Sequence, residues 1–273
     1  MNLWWRQIRA IVRLEWKKTF FGRRSWWIYL LAALPALLTA GHSLAMWQRG
    51  RWSHTLSLDT RIYANLFQLA YLRMGIYFGC AIVFTNLFRG DMLNKTLHYY
   101  LLAPVRREVL AVGKFCAGLI AVICLFAGSV VASYLALFLH FGPQFQEFLL
   151  RGDGLAHLGG YVLVTVLACA GYGAVFLLMG QVFQNPMMPA AVILVWEGIN
   201  AFLPPALQKV SVVFYLKSLL PVKLPESGFL AILAVETAPT PAWLAIPGLL
   251  VVAGGVLVLA ALRARRLEVR YGE

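Results

Sequence analysis

Apolar residues occur along the chain in six long blocks that are separated by shorter polar stretches. A helix needs about 17–25 residues to cross a bilayer, and each block approaches or exceeds that length. The pattern therefore predicts an all-α integral membrane protein with six transmembrane helices. The predicted spans cover residues 26–47, 64–88, 110–139, 158–183, 187–203 and 241–262.

The composition supports the same class of protein, since 61% of the 273 residues are hydrophobic and 13% are charged. Soluble domains contain about 45–50% apolar and about 25% charged residues. The net charge of +13 is compatible with nucleic-acid binding, but the cations lie in short clusters beside apolar blocks rather than along one soluble face. That arrangement is typical of membrane topology, and we expect no nucleic-acid partner.

The basic residues also orient the predicted spans. Most of them lie before the first span, between spans two and three, or after the last span. A six-span chain has these three segments on one side, and the positive-inside tendency makes that side the cytoplasm. We therefore expect both termini in the cytoplasm. The whole of 1–273 is predicted to be a single transmembrane domain, with the six spans at 26–262 and a basic tail at 263–273.

The segment 1–25 has apolar residues at helical spacing, flanked by cations that include Arg9 and Arg13. This pattern predicts an N-terminal amphipathic elbow helix on the cytoplasmic membrane surface, where cations contact lipid headgroups. Glu15 interrupts the apolar arc. We expect its carboxylate to pair with a neighbouring cation such as Arg9 or Lys18, or to contact another protein.

The connection at 204–240, between predicted spans five and six, contains the apolar stretch "VVFYLKSLLPV". Lys217 and Pro221 interrupt it, and it is too short to span. Because unpaired backbone cannot face lipid, we expect an interfacial or re-entrant hairpin on the outer side.

The sequence contains none of the enzyme motifs HExxH, GxSxG or GxGxxG. A phosphate-binding loop is also excluded, because Phe115 follows Gly113-Lys114 and Glu108 occupies the position of the leading glycine. The five histidines lie in different segments. We therefore expect no catalytic residues, no metal site and no cofactor in this chain.

The stretch "KTLHYYLLAPVRREVLAVGK" at 95–114 is too polar to span a bilayer. A short cytoplasmic helix here would expose Leu97, Tyr100 and Leu101 as an apolar knob that fits a groove on a partner. An interfacial loop, with its aromatic residues at the headgroups and its arginines setting topology, explains the same residues equally well.

Five elements appear here in a fixed order: Asp91, Thr96-Leu97, Pro104, Arg107 and Gly113-Lys114. This order and its spacing resemble the signature of type 2 ABC transporter permeases. In that family an acidic residue leaving span two precedes a Gly-Thr-Leu turn, a leucine-rich segment, a Pro-x-Ser-Arg element and a Gly-Lys entering span three. The sequence departs from the pattern at two positions, where Lys95 replaces the glycine and Arg106 replaces the serine.

The resemblance extends over the whole chain, from the elbow to the connection before the sixth span. It implies that 90–104 is a coupling helix that docks on a separate ATP-binding subunit, which would bind ATP and Mg. Two permeases, identical or paralogous, and two ATPases would form the working unit. The coupling contacts would involve Asp91, Thr96, Leu97, Tyr100, Leu101, Pro104 and Arg107, and the location would be the bacterial inner membrane.

Two charged residues lie within predicted spans, where a charge is costly and usually faces protein or water. Arg73 in span two and Glu197 in span five differ in predicted depth by roughly 7 Å, which a long arginine can bridge. The pair is compatible with a structural ion pair between spans. Alternatively, Arg73, Glu197 and Asn200 line a substrate path, since the resembling permeases use spans two and five for it. A third interpretation places Arg73 at the outer interface, with its side chain extended to the headgroups.

The predicted function is that of the transmembrane subunit of an ATP-driven exporter. ATP binding and hydrolysis in the partner would move the coupling helix, so that Leu97→Asp or Leu101→Asp would uncouple transport. A non-transporting membrane scaffold or anchor for an ATPase is the alternative, and it would be insensitive to Glu197→Gln and Arg73→Ala.

Overall fold

The computed structural model describes residues 2–22, 25–49, 55–102, 105–222 and 240–266. These ranges are helical apart from short turns and contain no β-strand. The N-terminal half comprises α1 (Asn2–Phe21), α2 (Ser25–Arg49), α3 (Leu56–Leu93), α4 (Leu97–Leu102) and α5 (Arg107–Phe138). The C-terminal half comprises α6 (Pro143–Arg151), α7 (Gly154–Val182), α8 (Met187–Gly198), α9 (Pro205–Gln208), α10 (Val212–Leu219) and α11 (Ala242–Arg265).

Five of these helices are long and apolar enough to cross a membrane: α2, α3, α5, α7 and α11. This confirms an all-helical, multi-pass membrane protein. Helix α3 is continuous over 38 residues and contains a π-helical segment at Phe67–Ile76. Helix α7 is the most buried of the five and lies at the centre of the bundle.

Glycines let α3 and α7 approach each other closely. A Cβ added at Gly180 would lie 2.7 Å from the backbone of Thr85, and one at Gly173 would lie 2.6 Å from the ring of Phe84. Small residues at helix interfaces serve this purpose in membrane proteins, where lipid provides no hydrophobic drive for helix association. The α3–α7 pair therefore forms a tight core for the other spans.

Hydrogen bonds from tyrosine side chains of α3 fix the axial position of α3 relative to α5. The hydroxyl of Tyr71 donates to the carbonyl of Ser129 at 2.9 Å, and that of Tyr63 donates to the carbonyl of Val130 at 3.0 Å. Both rings are fully buried. These bonds satisfy polar groups that lipid could not, and they set the register between the two helices.

The predicted fifth span, 187–203, differs from a continuous transmembrane helix. Helix α8 ends at Gly198 after 12 residues, which gives it a length of about 18 Å against the about 30 Å of a hydrocarbon layer. Because of this break, the count of six spans is not confirmed. The chain then turns through a short 3₁₀ segment at Asn200–Phe202 and through α9.

Beyond the break, α10 continues along α7 in the same direction as α8. Near one end of α7, Tyr77 donates to the carbonyl of Ala190 in α8 and packs on Phe176. Further along α7, Val212 lies against Gly171 and Pro221 against Gly160. Helices α8 and α10 therefore run one after the other back along α7, over about 33 Å between Gly160 and the end of α7.

Part of the segment predicted as an outer hairpin, 204–240, thus forms α10, which packs on α7 and α11. The re-entrant hairpin itself is not confirmed. Residues 223–239 of that connection, most of the basic tail at 267–273 and Pro104 of the family signature lie outside the described residues.

Candidate functional site: a lysine cluster beneath the short helix α4

A buried lysine joins three elements at the end of the bundle that carries α1 and α4. Lys114 of α5 is fully buried. Its ammonium group donates to Glu15 Oε1 at 2.6 Å, to Asp91 Oδ2 at 2.5 Å and to the carbonyl of Leu87 at 2.7 Å. All three donors of the ammonium group are therefore satisfied.

Tyr100 brings α4 into the same group of contacts. Its hydroxyl donates to Glu15 Oε1 at 2.8 Å and accepts a hydrogen bond from Lys18 Nζ at 3.0 Å. Burial, followed by the negative charges of Glu15 and Asp91, raises the pKa of Tyr100 above its ordinary value. The phenol therefore stays protonated and acts as a donor to Glu15.

Lys18 completes the group by donating to Asp91 Oδ1 at 3.1 Å. We call Glu15, Lys18, Asp91, Tyr100 and Lys114 the lysine cluster. Its two carboxylates and two ammonium groups balance in charge. Such a balance is required, because a buried charge without a partner is far more costly than a paired one.

The end of α3 positions Asp91 and α4 together. The amide of Thr96 donates to the carbonyl of Asp91 at 2.9 Å, and the amide of Lys95 donates to the carbonyl of Met92 at 3.1 Å. This is a Schellman motif, which places residue 95 in the left-handed conformation, with φ at 54°. The Thr96 hydroxyl also donates to Asp91 Oδ1 at 3.1 Å, so the turn and the carboxylate fix each other.

Leu97 and Tyr100 of α4, for which a contact with a partner was one prediction, face the protein interior. Leu97 is only 1% exposed and belongs to the core, and Tyr100 faces the lysine cluster. The opposite face exposes Tyr99 by 67% and Leu102 by 80%. Both faces of this helix are apolar, so the sequence did not indicate which one is buried. The side chain of Leu101 lies outside what the structure describes.

Arg107 lies at the start of α5 and ties it to the end of α11. Its guanidinium donates to the carbonyl of Arg265 at 2.8 Å. The neighbouring Glu108 forms an ion pair with the guanidinium of Arg265. Helix α11, the last of the five long apolar helices, is thereby connected to the same end of the bundle as the lysine cluster.

A family model described as ABC-2 family transporter protein matches residues 11–200, which is more than half of the chain. The chain belongs to the ABC-2 transporter family. It is therefore the membrane permease domain of an ABC system. No curated protein matches it.

The signature of this ABC-2 permease converges on the lysine cluster. Asp91, Thr96 and Lys114 are all in contact there, although 23 residues separate the first from the last. Gly113 precedes Lys114 and faces α1, where an added Cβ would lie 3.0–3.2 Å from the side chain of Ile11. The Gly-Lys pair thus serves both the close packing of α1 and the charge balance.

Elsewhere on α1, Arg9 and Arg13 are exposed. Glu15 meets Lys114 and Tyr100 directly, whereas Lys18, one of the cations that the sequence suggested, approaches it only to 3.8 Å. The lysines at 18 and 114 were not among the predicted site residues. Two signals pointed to them: Glu15 inside the apolar arc, which needs a cation, and the Gly113-Lys114 element of the family signature.

The third group of predicted residues lies at the break between α8 and α10. Glu197 is 9% exposed and accepts hydrogen bonds from the Ser211 hydroxyl at 2.7 Å and the amides of Val212 and Val213 at 3.1 and 3.0 Å. Its carboxylate thereby caps the N-terminus of α10, where it also interacts favourably with the helix dipole. Asn200 donates to the carbonyl of Gln208 at 3.3 Å and closes the turn.

The structure does not bring Arg73 into an ion pair with Glu197. Arg73 lies in the π-helical segment of α3, and its side chain is exposed. Within the described residues, no group of three or more His, Cys, Asp or Glu side chains is arranged to hold a metal ion. The lysine cluster and the Glu197 site both hold helices together through charged or hydrogen-bonded side chains.

Proposed function

We propose that this ABC-2 permease is the transmembrane subunit of an ATP-driven exporter in the bacterial inner membrane. Helix α4 would be the coupling helix that contacts a separate ATP-binding subunit in the cytoplasm. The observation that carries the proposal is the lysine cluster, because it links α4 by charged hydrogen bonds to α1 and to the ends of two spans, α3 and α5.

This link supplies a mechanical route for coupling. A movement of α4 would be transmitted to Glu15 and Asp91, and through Lys114 to α5, because charged hydrogen bonds are the strongest available here. The Schellman turn leaves α4 only three residues from the end of α3. ATP binding in the partner would therefore tilt α1, α3 and α5 together, shifting the permease between its inward- and outward-facing states.

The partners follow from the same proposal. Two copies of the ATP-binding subunit would bind ATP and Mg, and a second permease, identical or paralogous, would complete the substrate path. Lipids would surround the apolar surface of both permeases. The two termini would lie in the cytoplasm, on the side of the basic segments.

The exposed side of α4 is the surface to test. We expect Tyr99→Asp and Leu102→Asp to abolish co-purification with the ATPase and to remove ATP-dependent transport, while the protein still inserts and folds. Leu150→Asp is the matched control, because Leu150 is 73% exposed but lies in α6, far along the chain from α4. Normal ATPase binding by both α4 variants would refute the docking assignment.

A second measurement separates an exporter from an ATPase anchor. An exporter and an anchor would each form a complex with the ATPase. In an exporter, substrate is expected to raise the ATPase rate of the complex, and the Arg73→Ala variant is expected to lose this response. An anchor would show neither behaviour. Leu97→Asp is no longer a suitable probe, because a charge at a position that is 1% exposed would destabilise the fold itself.

A further inference from the structure

The exposed side chain of Arg73 lies far along α3 from the lysine cluster. Arg73 precedes Asp91 by 18 residues on the continuous helix α3, a distance of about 27 Å. A second estimate comes from its neighbour Tyr71, which bonds Ser129, a residue 15 positions beyond Lys114 in α5, or about 22 Å. With the lysine cluster at one boundary of a hydrocarbon layer about 30 Å thick, Arg73 lies in the outer half of that layer.

No carboxylate of the described residues forms an ion pair with this charge, although the charge acts on Tyr172, which also contacts Glu197. Glu197 is engaged by Ser211 and by the first amides of α10. Asp59, 14 residues earlier in α3, is fully buried and faces His42 and His140, with Oδ2 at 3.8 and 3.4 Å from their Nε2 atoms. Arg73 forms no ion pair with either of them.

The surface around Arg73 is apolar. On the same exposed face of α3, Leu69 is 56% exposed, Met74 61% and Phe78 40%. Tyr77, beside Phe78, bonds the carbonyl of Ala190 and so brings α8 next to this face. The exposed residues of α8, among them Val192 and Val195, extend the apolar surface.

A single cation within an apolar surface favours one class of ligand. A permanent guanidinium charge beside an apolar surface attracts an anion, and a guanidinium binds phosphate or carboxylate oxygens in pairs. The apolar residues around it fit a hydrocarbon or aromatic body. We infer that Arg73 is the recognition residue for a substrate that combines an anionic group with an apolar body. This inference rests on the proposed export function.

An anionic phospholipid has the same chemistry, and Arg73 could hold one permanently. An exported substrate and a permanently bound phospholipid differ in their response to ATP turnover. A substrate leaves the site when the partner ATPase turns over, whereas a resident lipid stays. The choice of probe and the addition of ATP therefore decide between them.

Binding is measured first on the full chain in phosphatidylcholine nanodiscs, without the ATPase, using a fluorescent dodecyl phosphate and the matched dodecyl trimethylammonium. We expect at least tenfold tighter binding of the phosphate by the wild type. Arg73→Gln should lose this preference, and Arg73→Lys should retain most of it because the charge remains. Arg61→Gln, at an exposed arginine 12 residues away on the same helix, should retain it fully.

No preference in the wild type, or an unchanged preference in Arg73→Gln, would overturn the inference. The complete complex with its ATPase is then tested in the same nanodiscs. ATP-dependent release of the phosphate probe supports a substrate site, and retention of the probe during ATP turnover overturns it. If no ATPase associates with the wild type, the proposed function fails instead, and the binding data on the chain alone still decide the chemistry at Arg73.

Discussion

Two buried carboxylate sites in this ABC-2 permease are stabilised in different ways. In the lysine cluster, Glu15 and Asp91 are balanced by the ammonium groups of Lys114 and Lys18. At the α8–α10 break, Glu197 is held by a hydroxyl and two backbone amides, with no cation. The first site uses opposite charge, and the second uses the N-terminus of a helix.

The two sites also differ in what they connect. The contacts of Lys114 reach 99 residues back to Glu15 and 23 back to Asp91, and they join α1, α3 and α5. The contacts of Glu197 reach 14–16 residues forward to the start of α10 and 25 residues back to the side chain of Tyr172 in α7. A change at the cluster should therefore affect α1, α3 and α5 together, whereas a change at Glu197 should affect mainly the start of α10 and its contact with α7.

The largest expected effect is that of Lys114→Met, which leaves two carboxylates buried near each other without their central cation. Removing one partner of a buried pair costs about 3–5 kcal/mol. We expect a loss of this size in the free energy of unfolding in detergent, together with release of α1 that is detectable by limited proteolysis. The double variant Lys114→Met with Glu15→Gln should be less unstable than the sum of the two single variants, since the residues are in contact. Additive effects would contradict the cluster.

The next effect is that of Glu197→Ala, which removes the acceptor of three hydrogen bonds at the start of α10. The expected cost is about 2 kcal/mol, the upper range for loss of a helix N-cap. Hydrogen exchange should increase at the amides of Val212 and Val213 and remain unchanged in α1. Glu147→Ala, at an exposed glutamate of α6, provides the control and should alter neither quantity. Faster exchange throughout the protein would show that this site is not local.

The helical membrane class was predictable, because each span carries its own hydrophobic signal. The break of the fifth span was not, since residues 187–203 are apolar apart from Glu197 and Asn200, and these two residues were interpreted as polar groups within a continuous span. The break depends on Glu197 meeting Ser211 and the amides beyond it, and hydropathy does not report such contacts. At the end of the bundle that carries the lysine cluster, Asp91 and Thr96 were named through the family pattern. The inward face of Leu97 was not, because both faces of α4 are apolar.

A smaller effect tests whether packing also holds α1 against α5. Gly113→Ala places a methyl group 3.0–3.2 Å from Ile11. Gly128→Ala, in the same helix, has no neighbour within 4 Å and should gain up to about 1 kcal/mol from helix propensity. We expect Gly113→Ala to be less stable than Gly128→Ala by about 1 kcal/mol in thermal unfolding, because tight packing must adjust. Equal stability of the two variants would leave α1 held by the charges of the lysine cluster alone.

The smallest effect concerns the turn that joins the cluster to α4. Lys95 adopts a φ of 54°, at the position where the family signature has glycine. A residue with a side chain pays about 1–2 kcal/mol to adopt the left-handed conformation, and glycine avoids this cost. Glycine also loses more conformational entropy on folding, so only part of that free energy is gained by the substitution. We expect Lys95→Gly to stabilise the protein by about 0.5 kcal/mol. Asn94→Gly is the control, because Asn94 has a φ of −81° and gains nothing from glycine. A loss of stability in Lys95→Gly would indicate that the Lys95 side chain contributes more to this turn than its backbone strain removes.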